Sequence, residues 1–215
     1  MLLEEIMSRD LVTLTEANTI HEAFDIMRKH HIRHLPIVDE QQHLVGLVSN
    51  QDIRDATPSI FRSTHFLEDL QQPLKAILKK DVITGHPLDF VEDVAAVFYE
   101  NKIGCMPVLL DGKLVGIVTE TDLLHTFVKL TGANQPGSHI QIKVRNKPGI
   151  LSDVAAIFKE KKVNIHSVLV YPAPDNDLFK ILVIRVQTMN PSLVIKELRD
   201  KGYDIQWPEI PGMPL

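Results

Sequence analysis

The chain carries the same sequence pattern twice, and this duplication constrains its fold more than any other feature. Residues 6–56 and 77–126 run in register, with one residue lost in a turn of the second copy. Three pairs of segments correspond most clearly: 7–13 with 78–84, 31–38 with 102–109, and 43–52 with 113–122. Two copies are too few for a solenoid, which needs at least three units. We therefore predict two like modules packed on each other, with any ligand cleft at their pseudo-symmetric junction.

The composition is that of a globular protein and limits its possible partners. The 215 residues suffice for one large or two ordinary domains, and 44% are hydrophobic and 24% charged. No apolar run could span a bilayer and no signal segment is recognised, so we expect a cytoplasmic protein without membrane contact. The formal charge of -5 argues against nucleic-acid binding, which needs a dense basic surface.

Each copy changes from strand to helix periodicity along its length. Val12 and Leu14 suggest a short strand, and the next apolar residues follow a helical spacing, with Asn18 as the expected N-cap. In the second copy Asp89 takes the equivalent N-cap position. The predicted helix faces are Ile20, Ala23, Phe24 and Met27 in the first copy, and Val91, Val94, Ala95 and Phe98 in the second. With two apolar strands and a second helix after each, both copies are predicted as β-α-β-β-α.

A third module follows the duplication and has a different pattern. Ile140, Ile142 and Val144 alternate as a strand, and the predicted order from there is βαββαβ, that of a ferredoxin-like unit. The fold class is therefore α+β. The expected organisation is a first repeat at 1–56, a helical spacer at 57–76, a second repeat at 77–128, a linker at 129–137, the third module at 138–208 and a tail at 209–215.

No recognisable catalytic or metal constellation is present in the sequence. The chain has ten histidines, and five of them are crowded in the first copy without a matching cluster in the second: His21, His30, His31, His34 and His43. The single cysteine excludes a disulfide framework and a cysteine-based zinc site. Cys105 is expected to be a small residue at the edge of the core, without a base to activate it. We predict a non-enzymatic protein without catalytic cofactor or metal. The alternative is an enzyme with an unrecognised site.

The two Ser/Thr-x-x-Asp runs allow two interpretations. Ser49 to Asp52 and Thr119 to Asp122 fit helix capping boxes, which need no ligand to explain them. Each run also follows an apolar strand that carries a glycine, and its occurrence in both copies favours a ligand site. Both roles can hold at once.

At these residues the chain resembles two known families. The duplicated Gly-h-h-Ser/Thr-x-x-Asp (h, hydrophobic), each preceded by h-x-x-h-Pro-h-h, resembles a pair of CBS domains over nearly all of residues 1–127. The βαββαβ module, with its turn Lys147-Pro-Gly-Ile-Leu151, resembles an ACT domain over 138–208. The order CBS, CBS, ACT is similar to that of regulatory proteins of acetoin or butanediol catabolism.

The CBS resemblance implies an adenine nucleotide, AMP, ADP or ATP, as a regulatory ligand between the copies. By analogy with the family, Asp52 and Asp122 would hold ribose hydroxyls, and Ser49 and Thr119 would bind phosphate at a helix start. The remaining implied nucleotide-binding residues are Thr13 and Thr84 near the base, Arg33 and His34 near the phosphates, and Pro36 and Pro107 of the motif. Gly104 and Cys105 replace the two cations in the second copy, so one phosphate-facing edge is expected to lack positive charge.

The ACT resemblance implies a second possible ligand, an amino acid. Its candidate contacts are Asn146, Gly149, Ile150 and Leu151, although Asn146 stands where the family usually has aspartate and offers no charge to an α-ammonium group. The main prediction is a regulatory protein that senses adenine nucleotides. The alternative is an amino-acid sensor whose CBS pair is a scaffold. Because both module types belong to families that associate, we expect a homodimer.

Overall fold

The computed structural model describes residues 1–57 and 69–208, and the chain divides into two compact units, Met1–Leu124 and His125–Leu215. Most of the predicted spacer at 57–76 and the whole tail at 209–215 lie outside the described residues. In the described part, no helix combines the length and the apolar character that crossing a bilayer requires.

The first unit contains the two copies of the repeat. The first copy comprises α1 (Ile20–His30), β1 (His34–Val38), β2 (Leu44–Ser49) and α2 (Asn50–Ala56). The second comprises α3 (Val91–Asn101), β3 (Cys105–Leu110), β4 (Lys113–Thr119) and α4 (Glu120–Thr131), whose last residues belong to the second unit. β1 pairs with β2, and β3 with β4, as antiparallel ribbons. The predicted leading strand of each copy is reduced to one isolated parallel bridge, Leu14 with Ile37 and Gly85 with Val108.

The first helix of each copy begins one residue later than the sequence predicted. Thr19, and not Asn18, is the N-cap of α1, and it forms a capping box with Glu22. The side chain of Asn18 instead accepts a hydrogen bond from the Thr15 N–H. Phe90 occupies the N-cap position of α3, because the carboxylate of Asp89 accepts from the His86 N–H in the preceding turn. Asn and Asp favour such turns as readily as helix caps, which explains both errors.

The two copies exchange their leading segments. Leu3 and Met7, at the start of the first repeat, are buried in the core of the second. Leu70 and Leu74, which precede the second copy, are buried in the core of the first. Met27 and Phe98 are core residues, as predicted. Each core is therefore completed by chain from outside its own repeat, so the two copies form one interlocked unit.

The motif glycines allow this exchange. A Cβ atom on Gly46 would lie 2.5 Å from the backbone oxygen of Lys79 and 2.6 Å from Cδ1 of Leu78. A Cβ atom on Gly116 would lie 2.3 Å from Sδ of Met7. At both places the leading segment of the other copy passes directly against the glycine, so a close backbone approach explains the residue in the motif.

The second unit contains the ferredoxin-like module that the sequence predicted. Its elements are β5 (Ser138–Arg145), α5 (Ile150–Glu160), β6 (Ile165–Ala173), β7 (Asn176–Val186), α6 (Ser192–Asp200) and β8 (Asp204–Trp207). The strands form one sheet in the order β6-β7-β5-β8, and each neighbouring pair is antiparallel. Residues of both helices and of the two central strands share one buried core, which includes Ile142, Phe158, Leu182 and Leu198.

Candidate functional site

Two clefts open between the copies of the repeat, and they are pseudo-symmetric counterparts. Cleft A has a volume of about 340 Å³ and cleft B of about 330 Å³. Cleft A is lined by Ser8, Asp10, Leu11, Val12, His31, Ile32, Arg33, His34, Pro36, Gly104, Ile117, Thr119, Glu120, Thr121 and Asp122. Cleft B is lined by His34, Leu47, Ser49, Asp52, Lys79, Asp81, Val82, Ile83, Lys102, Ile103, Gly104 and Cys105. Each cleft thus combines the strand–helix junction of one copy with the leading segment of the other.

The predicted nucleotide-binding residues divide between the clefts. Cleft A brings together Arg33, His34, Pro36, Thr119 and Asp122. Cleft B brings together His34, Ser49 and Asp52. Thr13, Thr84 and Pro107 line neither cleft; Thr84 is exposed and Pro107 is buried. The chain neighbours of the two threonines, Val12 and Ile83, line cleft A and cleft B instead.

In cleft A the start of helix α4 keeps hydrogen-bonding capacity for a ligand. Oδ2 of Asp122 accepts from the N–H and the hydroxyl of Thr119, at 2.8 and 2.6 Å, while Oδ1 has no protein partner among residues 1–57 and 69–208. The N–H of Glu120 donates to the oxygen of Gly104. The N–H of Thr121, also in the first turn, has no partner in the same residues. Thr121 and Asp122 both line the cleft, and within the described ranges each keeps one polar group without a protein partner; the helix-start amide favours an anion.

In cleft B the equivalent carboxylate is occupied by the protein itself. Oδ2 of Asp52 accepts from the N–H and the hydroxyl of Ser49, at 2.8 and 2.5 Å. Oδ1 of Asp52 lies 2.7 Å from Nζ of Lys79. Partial burial alone would raise the pKa of Asp52, but the hydrogen bonds from Lys79 and Ser49 outweigh it and hold the pKa below its ordinary value.

Both aspartates close the capping boxes that the sequence allowed, so the capping interpretation is confirmed. Capping uses one carboxylate oxygen in each case. The second oxygen is engaged by Lys79 in Asp52 and has no protein partner among the described residues in Asp122. The two interpretations are therefore compatible in the structure.

His34 lies between the clefts and lines both of them. Its ring packs against Gly104, since a Cβ on that glycine would lie 3.1 Å from Cε1 and Nε2. Burial lowers the pKa of His34, the charge of Arg33 lowers it further, and the carboxylates of Glu120 and Asp52 only partly oppose this. The imidazole is therefore held in its neutral form, in which one ring nitrogen can accept a hydrogen bond.

The expectation that one edge lacks positive charge is wrong. Gly104 and Cys105 do lie where the first copy has Arg33 and His34, but Lys79 and Lys102 also line cleft B. The motif around the proline did not indicate these lysines, because neither stands at a position equivalent to Arg33 or His34. The alignment of the repeats contained the signal, since Lys79 stands opposite Ser8.

Cys105 is a buried residue of the core edge, as predicted. Burial raises the pKa of its thiol to about 12, so the thiolate is not formed near neutral pH. Among the described residues no group of three or more His, Cys, Asp and Glu side chains is arranged to hold a metal ion.

The candidate amino-acid contacts lie in the turn between β5 and α5 and at the start of α5. Gly149 has a φ of +83° and precedes α5, and the N–H of Asn146 donates to the oxygen of Leu178. Ile150 packs on the core of the unit, whereas Asn146 and Leu151 are exposed. The turn conformation alone accounts for the glycine, so amino-acid binding stays a prediction.

Comparison with known proteins identifies both modules. The CBS domain family model matches residues 3–59 and 74–129, and the ACT domain model matches residues 138–202. The chain is 30% identical over 137 residues to protein MJ1225 of Methanocaldococcus jannaschii, covering 64% of this chain and 45% of that protein. The chain spans less than half the length of the first curated relatives that it matches.

Two solved structures resemble the CBS part of the chain. One is an acetoin utilization protein (AcuB) from Vibrio cholerae, with 30% identity, a TM-score of 0.55 and coverage of 63% of this chain and 96% of that chain. The other is the CBS domain pair of protein MJ0100 in complex with 5'-methylthioadenosine and S-adenosyl-L-methionine. It has 33% identity and a TM-score of 0.52, and the match covers 63% of this chain and 98% of that chain.

The family matches confirm the resemblances that the motifs indicated. The CBS model alone accounts for more than half of the chain, in two copies that coincide with the duplicated sequence pattern. The protein belongs to the CBS domain family and carries an ACT domain after its CBS pair.

Proposed function

We propose that the protein is a non-enzymatic regulatory protein that binds an adenine nucleotide in cleft A. The observation that carries this proposal is that Oδ1 of Asp122 and the N–H of Thr121 have no protein partner within residues 1–57 and 69–208, and that both residues line the same cleft as Arg33. A carboxylate oxygen accepts hydrogen bonds from ribose hydroxyls, while the helix start and the guanidinium favour phosphate. The apolar side chains of Leu11, Val12 and Ile32 offer a surface for the base.

The similarity to the CBS pair of protein MJ0100 supports the adenosine part of this ligand. Both molecules in that complex contain adenosine, so a ribose and an adenine are common to them. The acidic residues Asp10 and Glu120 also border cleft A, which makes Arg33 important for any ligand that carries phosphate. The similarity to an acetoin utilization protein further leads us to propose a role in acetoin or butanediol catabolism.

The experiment that tests the proposal compares AMP with adenosine by calorimetry and by thermal unfolding. A ligand at 100 times its Kd stabilises the folded state by about 2.7 kcal/mol, which raises the melting temperature. Arg33→Ala should lower the affinity for AMP about tenfold or more and the affinity for adenosine much less, because only AMP loses a charge-assisted hydrogen bond. Arg54→Ala, on helix α2 outside both clefts, is the matched control.

Equal weakening of AMP and adenosine by Arg33→Ala would mean that this arginine acts through the fold and not through phosphate. Flat titrations with both ligands on folded wild-type protein would contradict the proposed function. Stabilisation by an amino acid alone would instead support the ACT sensor with a CBS scaffold, and loss of that response in Gly149→Val would assign it to the turn before α5.

A further inference from the structure

The two clefts differ at the carboxylate that would receive the ribose. In cleft B, Nζ of Lys79 lies 2.7 Å from Oδ1 of Asp52, and Ser49 engages the other oxygen. In cleft A, Oδ1 of Asp122 has no protein partner in the described part of the chain. The ribose-facing oxygen is therefore already occupied in one cleft and available in the other.

A single sequence difference between the copies produces this asymmetry. The N–H and oxygen of Lys79 pair with those of Leu47 at 3.1 and 2.9 Å, and Ser8 pairs with Ile117 at 2.9 and 3.1 Å in the same way. Lys79 and Ser8 thus hold equivalent backbone positions at the edges of the two clefts. Their side chains differ: the lysine reaches the aspartate of the other copy, and the serine hydroxyl, on one carbon, is too short to do so.

We propose that Lys79 is an internal occupant of cleft B, so that each chain binds one adenine nucleotide tightly in cleft A and a second one only weakly. This inference rests on the proposed function. A ribose that enters cleft B must replace the charge-assisted bond between Lys79 and Asp52 with its own hydrogen bonds, whereas in cleft A it gains them without that loss. The Lys79 side chain is 65% exposed, so it can swing into water, and the second site is weakened rather than abolished.

Exchange of the two equivalent residues tests the proposal, with AMP as the probe and calorimetry as the readout. Wild-type protein should show one strong site per chain and a second at least about tenfold weaker. Lys79→Ser should strengthen the second site about tenfold and bring it near the first. Ser8→Lys should weaken the strong site by a similar factor, because the new ammonium reaches Asp122. Lys80→Ser is the matched control, since Lys80 pairs with Glu16 and lines neither cleft.

The outcomes separate this inference from the proposed function. Two equal sites in the wild type, or affinities that neither exchange alters, would overturn the role of Lys79 while AMP binding stands. No AMP binding in any variant, with thermal unfolding showing that each is folded, would contradict the proposed function itself. If the Lys79→Ser variant does not fold, the Ser8→Lys variant alone tests the proposal. The proposal requires that AMP binding at the strong site of Ser8→Lys is weaker than in wild type.

Discussion

At the scale of single residues, His34 is the side chain that the two clefts share. Arg33 and Glu120 act on it from the side of cleft A, and Asp52 and Lys79 from the side of cleft B. Its pKa lies below the ordinary value of 6.5, chiefly because the ring is desolvated. A neutral imidazole between the two clefts adds no charge to either, and among the described residues Arg33, Lys79 and Lys102 are the Arg and Lys side chains that line them.

The lowered pKa of His34 predicts a loss of stability on the acid side. Below pH 6.5 the unfolded chain binds a proton that the folded chain still excludes, so the free energy of unfolding falls as the pH drops from the ordinary pKa towards the lowered one. Urea unfolding should show that His34→Gln loses less stability than wild type between about pH 7.5 and about pH 5.5. Parallel pH profiles for the two proteins would contradict a neutral, half-buried His34.

At the scale of elements, each copy is completed by the leading segment of the other, and the motif glycine is the point of contact. The contact partner differs between the copies. At Gly46 the nearest atom is a backbone oxygen, that of Lys79, whereas at Gly116 it is the thioether of Met7. A backbone oxygen held in a bridge with Leu47 yields little, and a methionine side chain yields easily.

This difference predicts unequal effects of the same substitution. Gly46→Ala should lower the free energy of unfolding by about 1–3 kcal/mol, the range for overpacking a well-packed core. Gly116→Ala should cost less, because Met7 can adopt another rotamer. Urea unfolding of the two variants measures both values. A larger loss in Gly116→Ala than in Gly46→Ala would contradict the assignment of these contacts.

At the scale of the whole molecule, the duplication predicted the paired modules and the clefts between them. The alignment of the two repeats made this prediction possible, because residues that correspond in the alignment lie at equivalent places in the two copies. The exchange of leading segments was not predictable, since apolar residues such as Leu3 and Leu74 fit either core equally well by pattern. The pairing of Lys79 with Asp52 was missed for a related reason: it depends on which copy each leading segment joins. The homodimer stays a prediction, and light scattering tests it.

The most direct test of the account is titration of the Asp122→Asn protein with AMP. Asparagine caps a helix nearly as well as aspartate, so the variant without ligand should melt close to wild type. If Asp122 accepts a hydrogen bond from the ribose, the neutral amide of asparagine removes a charge-assisted bond worth about 1.5–3 kcal/mol. The affinity for AMP should then fall roughly ten- to a hundredfold. Asp52→Asn, already engaged by Lys79, should change the strong site little. Unaltered AMP affinity in Asp122→Asn would mean that Asp122 is only a cap and would contradict the central claim.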